Sequence, residues 1–206
     1  DSNNLIVFDI TGSENQLIDM GSLRVIYTLR ITNPNAGATR PNNANALQQG
    51  AVNGTIQADP RVGFQGVWRT ITFTDAMNNV LEQVHRANRV SASTLPLTMS
   101  FGDYQGLQMR YGVFGARQDG IDMRMNMDTP LCCKLTAGLS DSVPIPFNMI
   151  GKLKLQLELT SSSMLLFGAN AGFGQGASFQ VRDVKLVYNV VNTGSPVPLP
   201  QGGISY

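Results

Sequence analysis

The stretch KLKLQLEL, residues 152–159, alternates four polar or charged side chains with four leucines without a break. Successive side chains of a β-strand point to opposite faces of a sheet, so the leucines share one face and require a common core. The other face is left to water or to a partner molecule. The stretch therefore predicts a strand with one buried face, and it places Lys152, Lys154 and Glu158 on the exposed one.

A second alternating stretch, FQVRDVKLVYNVV at residues 179–191, changes phase along its length. Phe179 and Val181 are out of phase with Val184 and with the apolar residues that follow it. One extra residue within a strand produces such a change. The pattern therefore predicts a β-bulge near Arg182-Asp183.

Two apolar stretches near the N-terminus predict further strands. Residues 5–10 form a short run that ends in a turn. Residues 17–20 lead through Gly21-Ser22 into a long strand at 23–32. The alternation of that strand predicts an inward file of Leu23, Val25, Tyr27, Leu29 and Ile31.

The middle of the chain predicts one helix among shorter strands. Residues 62–74 contain Trp68, Ile71 and Phe73, which indicate a heavily buried strand. Thr74-Asp75 can cap a helix over residues 76–89, in which Met77, Val80, Leu81 and Val84 form one stripe. A strand or extended segment is expected at 95–101, further strands at 121–127 and 131–137, and long loops at 33–54 and 168–176.

Length and composition favour one all-β domain. The chain has 206 residues with 21 glycines and 10 prolines, which suits many short strands joined by elaborate loops. About eight strands with one short helix and long end loops predict an eight-stranded antiparallel jelly-roll β-sandwich or barrel. We expect this domain to cover residues 1–192, with a Pro/Gly-rich extended segment at 193–206.

The net charge and the cysteines indicate which binding partners and which cellular compartment to expect for the protein. The formal net charge is +1 and the arginines are scattered singly, so strong nucleic-acid binding through a dense basic patch is not expected. The two cysteines, Cys132 and Cys133, are adjacent, and a bond between them would be strained. Two free thiols, packed in the interior, are the preferred interpretation and favour an intracellular protein, while a bond to another chain stays open.

No constellation of residues predicts catalysis or a cofactor. The single histidine, His85, cannot supply the several histidine ligands of a metal cupin. Asp119, Asp122 and Asp128 could offer oxygen ligands to calcium, but their spacing is not that of an EF-hand, and ordinary loop aspartates are favoured. We therefore predict that the chain is not an enzyme and holds no metal or cofactor.

The order of these features resembles the jelly-roll capsid proteins of the lineage shared by adenoviruses, large eukaryotic DNA viruses, virophages and tailless membrane-containing phages. In that family an opening strand is followed by a turn into a long strand, as at residues 6–10 and 17–23. A strand ending in a short helical segment is similar to residues 67–82. A proline-containing lead-in before an alternating strand and a final strand of Phe-x-Val-x-Asp-Val-x-Leu type resemble residues 144–159 and 179–186.

The resemblance implies a structural virion protein that assembles with itself into an icosahedral shell inside an infected host cell. The chain has room for one barrel, so a vertex (penton) protein or a single-barrel shell subunit is implied. Such a subunit would form pentamers or trimeric or hexameric capsomers and contact other capsid proteins, minor capsid proteins or an underlying membrane. A non-catalytic carbohydrate- or ligand-binding β-sandwich, resting on Tyr104, Tyr111 and the loop aspartates, is the alternative.

The segment 193–206 carries the remaining predicted contacts. Its alternating prolines favour an extended chain that pairs poorly with itself. Val197, Leu199 and Tyr206 are unusual in a purely solvated tail, so we expect a strap against the barrel or an adjacent subunit, with a disordered end as the alternative. The predicted interface residues are Lys152, Lys154, Glu158, Val197, Leu199 and Tyr206.

Overall fold

In a computed structural model of the chain, strands are the main elements. The structure describes residues 4–32, 56–57, 62–98, 100, 102, 128–165, 167–168 and 178–196. The strands are β1 Leu5–Thr11, β2 Gln16–Thr32, β3 Ile56–Gln57, β4 Trp68–Thr74, β5 Val80–His85, β6 Asp128–Cys133, β7 Ile145–Pro146, β8 Lys152–Leu159, β9 Phe167–Gly168 and β10 Ser178–Asn192. The α-helices are α1 Ala87–Thr98, α2 Phe147–Ile150 and α3 Ser162–Leu165, and 3-10 turns cover Gly63–Val67 and Leu139–Asp141.

The strands form two main antiparallel sheets. The first sheet has the order β1-β8-β4-β5, and the second has the order β10-β2-β6 with β7 also beside β2. The short strands β3 and β9 pair separately. The expected predominance of β-strands in antiparallel sheets is therefore confirmed.

The long strands pair in a nested order along the chain. β4 pairs with β5, its next neighbour in sequence, and β2 pairs with β6 around them. β1 pairs with β8 around both, and β10 then returns to lie beside β2. In each of the first three pairs an earlier strand thus meets a later one, and these pairs are nested in chain order.

Strand β8 lies between β1 and β4 and forms the centre of the first sheet. Leu153, Leu155 and Leu157 are fully buried, while Leu159 at the end of the strand is half-buried. Burying one leucine stabilises the fold by about 2 kcal/mol, so a one-residue slip of the register would be prohibitive. The prediction of a strand with leucines inside and polar residues outside is confirmed.

The two sheets enclose one core. Tyr27 of β2 meets Trp68 of β4 edge to face, with ring centroids 5.3 Å apart and planes at 75°. The Trp68 Nε1–H group donates a hydrogen bond of 3.4 Å to Cys133 Sγ on β6. An aromatic pair of this kind contributes about 0.5–1.5 kcal/mol beyond the area that it buries. Trp68 therefore joins the first sheet to two strands of the second.

Two irregularities shape the pairing of β2 with β10. The register shifts between Arg182 and Lys185, where Asp183 has a φ of 50°. A second shift lies between Val187 and Asn189, opposite the Gly21-Ser22 step of β2. The bulge predicted near Arg182-Asp183 is confirmed.

The predicted helix over residues 76–89 is wrong. The Asp75 carboxylate accepts hydrogen bonds from the backbone N–H groups of Met77 and Asn79, each at 2.8 Å, and so holds a tight turn rather than a helix. Asn78 has a φ of 64°, which breaks a helical path. Residues 80–85 then return as β5 against β4. Met77 is 83% exposed, so the predicted apolar stripe is not a buried face.

The long helix lies further along the chain, as α1. Its last residues, 95–98, are helical, so the prediction of a strand or extended segment there is wrong. The apparent alternation there does not mark burial, because Leu97 is exposed. The helix instead packs small residues, Ala87, Ser91 and Ala92, and Ser91 Oγ donates to Thr136 Oγ1 at 2.8 Å.

Other boundaries also differ from the predictions. The strand expected over 62–74 begins only at Trp68, and the one expected over 131–137 ends at Cys133. The single-turn helices α2 and α3 come in addition to the one helix expected. Predictions for residues 33–54, 121–127 and 169–176 lie outside the described residues.

Candidate interaction surfaces

The outer face of β8 carries the two predicted interface lysines. Lys152 Nζ lies 2.8 Å from a carboxylate oxygen of Asp9 on the neighbouring strand β1. Lys154 Nζ donates to Asn78 Oδ1 at 2.8 Å. Both lysines remain partly exposed, so they stay available to a neighbour while these contacts restrict their rotamers.

Glu158 occupies the other end of this face. Its carboxylate accepts a 2.7 Å hydrogen bond from Thr70 Oγ1 and lies 3.4 Å from Arg69 Nη1. Beside it is a groove of about 320 Å³ lined by Asn4, Leu5, Thr70, Thr72, Gln83, Gln156 and Glu158. The groove offers hydroxyl, amide and carboxylate groups, and none of its lining residues is aromatic. The outer face of the first sheet thus combines polar side chains that are bonded within the chain with the exposed apolar side chains of Leu5 and Val7.

The residues weighed for metal binding do not form a metal site in the part of the chain that is described. Asp128 pairs with Arg30 across β2 and β6, with 3.7 Å between the charged atoms. Asp119, Asp122, Tyr104 and Tyr111 lie outside the described residues. Among the described residues, no cluster of three or more His, Cys, Asp or Glu side chains could hold a metal ion.

The two cysteines lie on opposite faces of β6 and are free thiols. Cys133 is buried, and this burial raises the pKa of its thiol to about 12, although the hydrogen bond from Trp68 acts in the opposite direction. Cys132 is exposed, so the expectation of two packed cysteines is correct for Cys133 and wrong for Cys132. His85 is exposed on β5 instead of on the predicted helix.

Glu82 links the two sheets by hydrogen bonds along one long side of the sandwich. Its two carboxylate oxygens accept hydrogen bonds from the backbone N–H groups of Gly138 at 2.7 Å and Leu139 at 2.6 Å. Glu82 lies on β5, the edge of the first sheet, while the two donors follow β6, the edge of the second. This bridge was not predicted, because its partners are more than fifty residues away in sequence.

The opposite long side, between β1 and β10, is open in the described part of the chain. The inward-facing residues of β10 are only partly buried, including Val184, Leu186 and Tyr188, and Val190 is 39% exposed. The inward residues of the adjacent β2 from Leu23 to Leu29 are at most 2% exposed. On β1, Ile6 and Phe8 are also only partly buried. No described strand pairs with the outer edge of β10 or of β1.

The outer face of the second sheet adds exposed valines. Val187 and Val191 on β10 point away from the core and are nearly half exposed, and Ile26 on β2 lies diagonally opposite Val187 on the same face. Lys185 stands opposite Ile26 in the β10–β2 register. This face therefore mixes apolar and basic groups.

The chain after β10 is described only as far as Pro196. Gly194 has a φ of 74°, and Thr193 Oγ1 donates to the carbonyl oxygen of Ser195 at 2.6 Å, so the chain bends sharply here. The predicted interface residues Val197, Leu199 and Tyr206 lie outside the described residues.

Searches of known protein families and of curated proteins gave no match for this chain. Among the described residues, none of the helices combines the length and the hydropathy that crossing a membrane requires.

Proposed function

We propose that this chain is a jelly-roll subunit of a viral capsid that assembles with copies of itself and with other capsid proteins. The subunit is non-catalytic and structural, and it forms part of the virion shell or its vertices (pentons) after assembly in the infected cell. The proposal requires a jelly-roll fold, surfaces suited to repeated contacts and a role in oligomers.

The nested pairing of the strands carries the proposal. A jelly roll wraps eight antiparallel strands into two layers through two Greek keys, so that early strands pair with late ones. The pairs β4 with β5, β2 with β6 and β1 with β8 fit three of the four nested pairs of such a fold. β10 fits one member of the fourth pair, with the position beside its outer edge left for an eighth strand.

The surfaces described above also support a subunit that contacts neighbours. The outer face of β8 offers charges of both signs, Lys152, Lys154 and Glu158, already held in place by contacts within the chain. Less side-chain entropy is lost when such pre-ordered groups bind a partner. Complementary charges of this kind mainly set the register and orientation of neighbouring subunits.

The assembly of the purified protein tests this function. We expect species larger than a monomer by light scattering, and ring- or shell-like particles by electron microscopy. The double variant Lys152→Glu/Lys154→Glu should keep the melting temperature of the parent within a few degrees, because exposed ion pairs contribute only about 0–1 kcal/mol each. Its assembly should nevertheless be impaired, most strongly at low salt.

Lys185→Glu provides a control for the position of the change, because it reverses one charge on the second sheet instead of two on β8. It should assemble like the parent protein. A parent protein that remained monomeric across salt, pH and concentration would contradict the capsid proposal. Normal assembly of the β8 double variant would leave the function standing but remove this face from the contacts.

The polar groove beside Glu158 favours one second candidate, a carbohydrate- or ligand-binding sandwich. Its hydroxyl and amide groups could bond to a polar ligand such as a sugar. A monomeric protein that bound glycans in an array, and that lost binding in Gln156→Ala, would support this candidate over the capsid subunit.

A further inference from the structure

The groove beside Glu158 arises from the side-chain lengths on three neighbouring strands of the first sheet. The outer face of β4 carries the short side chains of Thr70 and Thr72. In the register these stand opposite Glu158 and Gln156 of β8, and Thr72 also stands opposite Gln83 of β5. Because the threonines are shorter than the glutamate and glutamine side chains on either side, β4 forms the floor of a groove of about 320 Å³.

The groove contains one charged group, the carboxylate of Glu158, and none of the described residues that line it is basic. Thr70 Oγ1 donates a hydrogen bond of 2.7 Å to this carboxylate and so restricts its position. A carboxylate can accept about four hydrogen bonds, so further donors can reach it. The amide carbonyl oxygens of Asn4, Gln83 and Gln156 add neutral acceptors to the lining. The groove therefore suits a cation that carries several hydrogen-bond donors.

Arg69 of the same chain indicates which kind of cation this carboxylate accepts. Its Nη1 atom lies 3.4 Å from Glu158 Oε1, outside the lining of the groove. The side chain of Arg69 is 62% exposed, and exposed ion pairs of this kind contribute little to stability. A second guanidinium group can therefore replace Arg69 at the carboxylate at small cost.

We propose that this groove is a binding site for the guanidinium group of an arginine side chain from another molecule. A guanidinium group presents five N–H donors in a planar fork, which matches a carboxylate flanked by amide oxygens. It is also more weakly hydrated than the ammonium group of lysine. It therefore loses less hydration in a groove whose wall includes the apolar side chain of Leu5.

A second copy of this chain supplies the arginine. Arg86 and Arg89 are exposed, and neither forms an ion pair with a described residue. Arg86 follows β5 directly, three residues after Gln83 of the groove. A donor and a site that lie this close on one surface can be exchanged reciprocally across a two-fold axis. The identity of the donor rests on the proposed self-assembly, whereas the binding site itself does not.

Binding of a small arginine derivative tests the site. Nα-acetyl-arginine amide is titrated into isotope-labelled protein at low protein concentration, and the side-chain amide signals of Gln83 and Gln156 are followed by NMR. Nα-acetyl-citrulline amide is the matched ligand, because a neutral urea group of nearly the same shape replaces the guanidinium group. We expect saturable shifts with the arginine derivative and much weaker shifts with the citrulline derivative. Equal shifts with the two ligands, or none with either, would overturn the proposal.

Three variants show whether Glu158 is the anchor. Glu158→Gln should weaken binding about tenfold or more, because hydrogen bonds to a charged group are the stronger ones. Glu14→Gln is the matched control, because it removes the same charge from the exposed turn at the other end of β1, and it should leave binding unchanged. Arg69→Ala should strengthen binding by up to about fivefold, because it removes the competing guanidinium group. Equal affinities in Glu158→Gln and the parent would overturn the site.

The dependence on protein concentration tests the source of the arginine. In the parent, the same two amide signals should shift as the protein concentration rises, and the arginine derivative should suppress this change. In Arg86→Ala/Arg89→Ala the concentration dependence should be lost, although the derivative still binds. A double variant that behaves like the parent would overturn the assignment of the donor. Binding of the derivative by a protein that never associates would support the site, and would overturn the second copy as donor together with the proposed assembly.

Discussion

Gly12 is a position at which one methyl group decides how the first turn meets the core. A Cβ atom at Gly12 would lie 2.7 Å from Cγ of Phe147 and closer still to Cδ2 of the same ring. Phe147 is 2% exposed and is surrounded by other core side chains, so its ring has little room to retreat. The turn between β1 and β2 can therefore contact this ring only because residue 12 has no side chain.

We expect Gly12→Ala to lower the free energy of unfolding by about 1–3 kcal/mol, the usual cost of overpacking. Gly21→Ala is the matched control, because the nearest atom to its added Cβ would be Asp19 Oδ1 at 3.4 Å, an ordinary contact. Its effect should stay within about 0.5 kcal/mol. Denaturant unfolding of the three proteins measures the difference, and equal midpoints would show that Phe147 can move aside.

At the scale of an element, β8 has two faces that should respond oppositely to substitution. Leu157 is fully buried between β1 and β4, where an unpaired carboxylate costs several kcal/mol, a large share of the 5–15 kcal/mol that stabilises a typical domain. Leu157→Asp should therefore abolish soluble expression. Lys154→Ser removes only the surface hydrogen bond to Asn78 and should leave a folded protein. Similar yields and melting temperatures for the two variants would contradict the observed orientation of β8.

The elements also differ in how far their sequences determine them. The alternation in β8 is complete and local, so its strand, its inward face and the outward position of Lys152, Lys154 and Glu158 follow from sequence. In β5 the residues Val80, Leu81 and Val84 fit a helical stripe as well as a strand. Asp75 fits a helix cap as well as a turn. Pairing with β4 decides between them, and that is a tertiary contact which no local pattern contains.

The interaction surfaces were only partly predictable for a related reason. The polar face of β8 depends on one strand and was predicted. The Glu82 bridge depends on the positions of Gly138 and Leu139, which are remote in sequence. The open side of the sandwich depends on which strands become edges, and strand order is a property of the whole fold. Sequence patterns thus identified the faces of strands but not the sides of the molecule.

At the scale of the whole molecule, the buried thiol of Cys133 links stability to alkaline pH. Its pKa is raised from 9.0 to about 12 by burial, so above pH 9 the unfolded chain releases this proton while the folded chain keeps it. The folded state then binds more protons than the unfolded state, and stability falls as the pH rises. The contribution of this one group is up to about 1.4 kcal/mol per pH unit between the two pKa values.

Because tyrosines and lysines titrate in the same range, the test compares the parent with Cys133→Ser. The serine hydroxyl can still accept the Trp68 hydrogen bond but does not ionise in this range. Between pH 9 and pH 11 we expect the unfolding free energy of the parent to fall more steeply than that of the variant. Parallel curves would show that Cys133 ionises equally easily in both states.

The Glu82 bridge also has a mechanical consequence. Its two hydrogen bonds join the β5 and β6 edges, while the β1 and β10 side has no comparable bridge among the described residues. Separating the two layers on the β5 and β6 side therefore requires both of these hydrogen bonds to break, even where the ladders within each layer keep theirs.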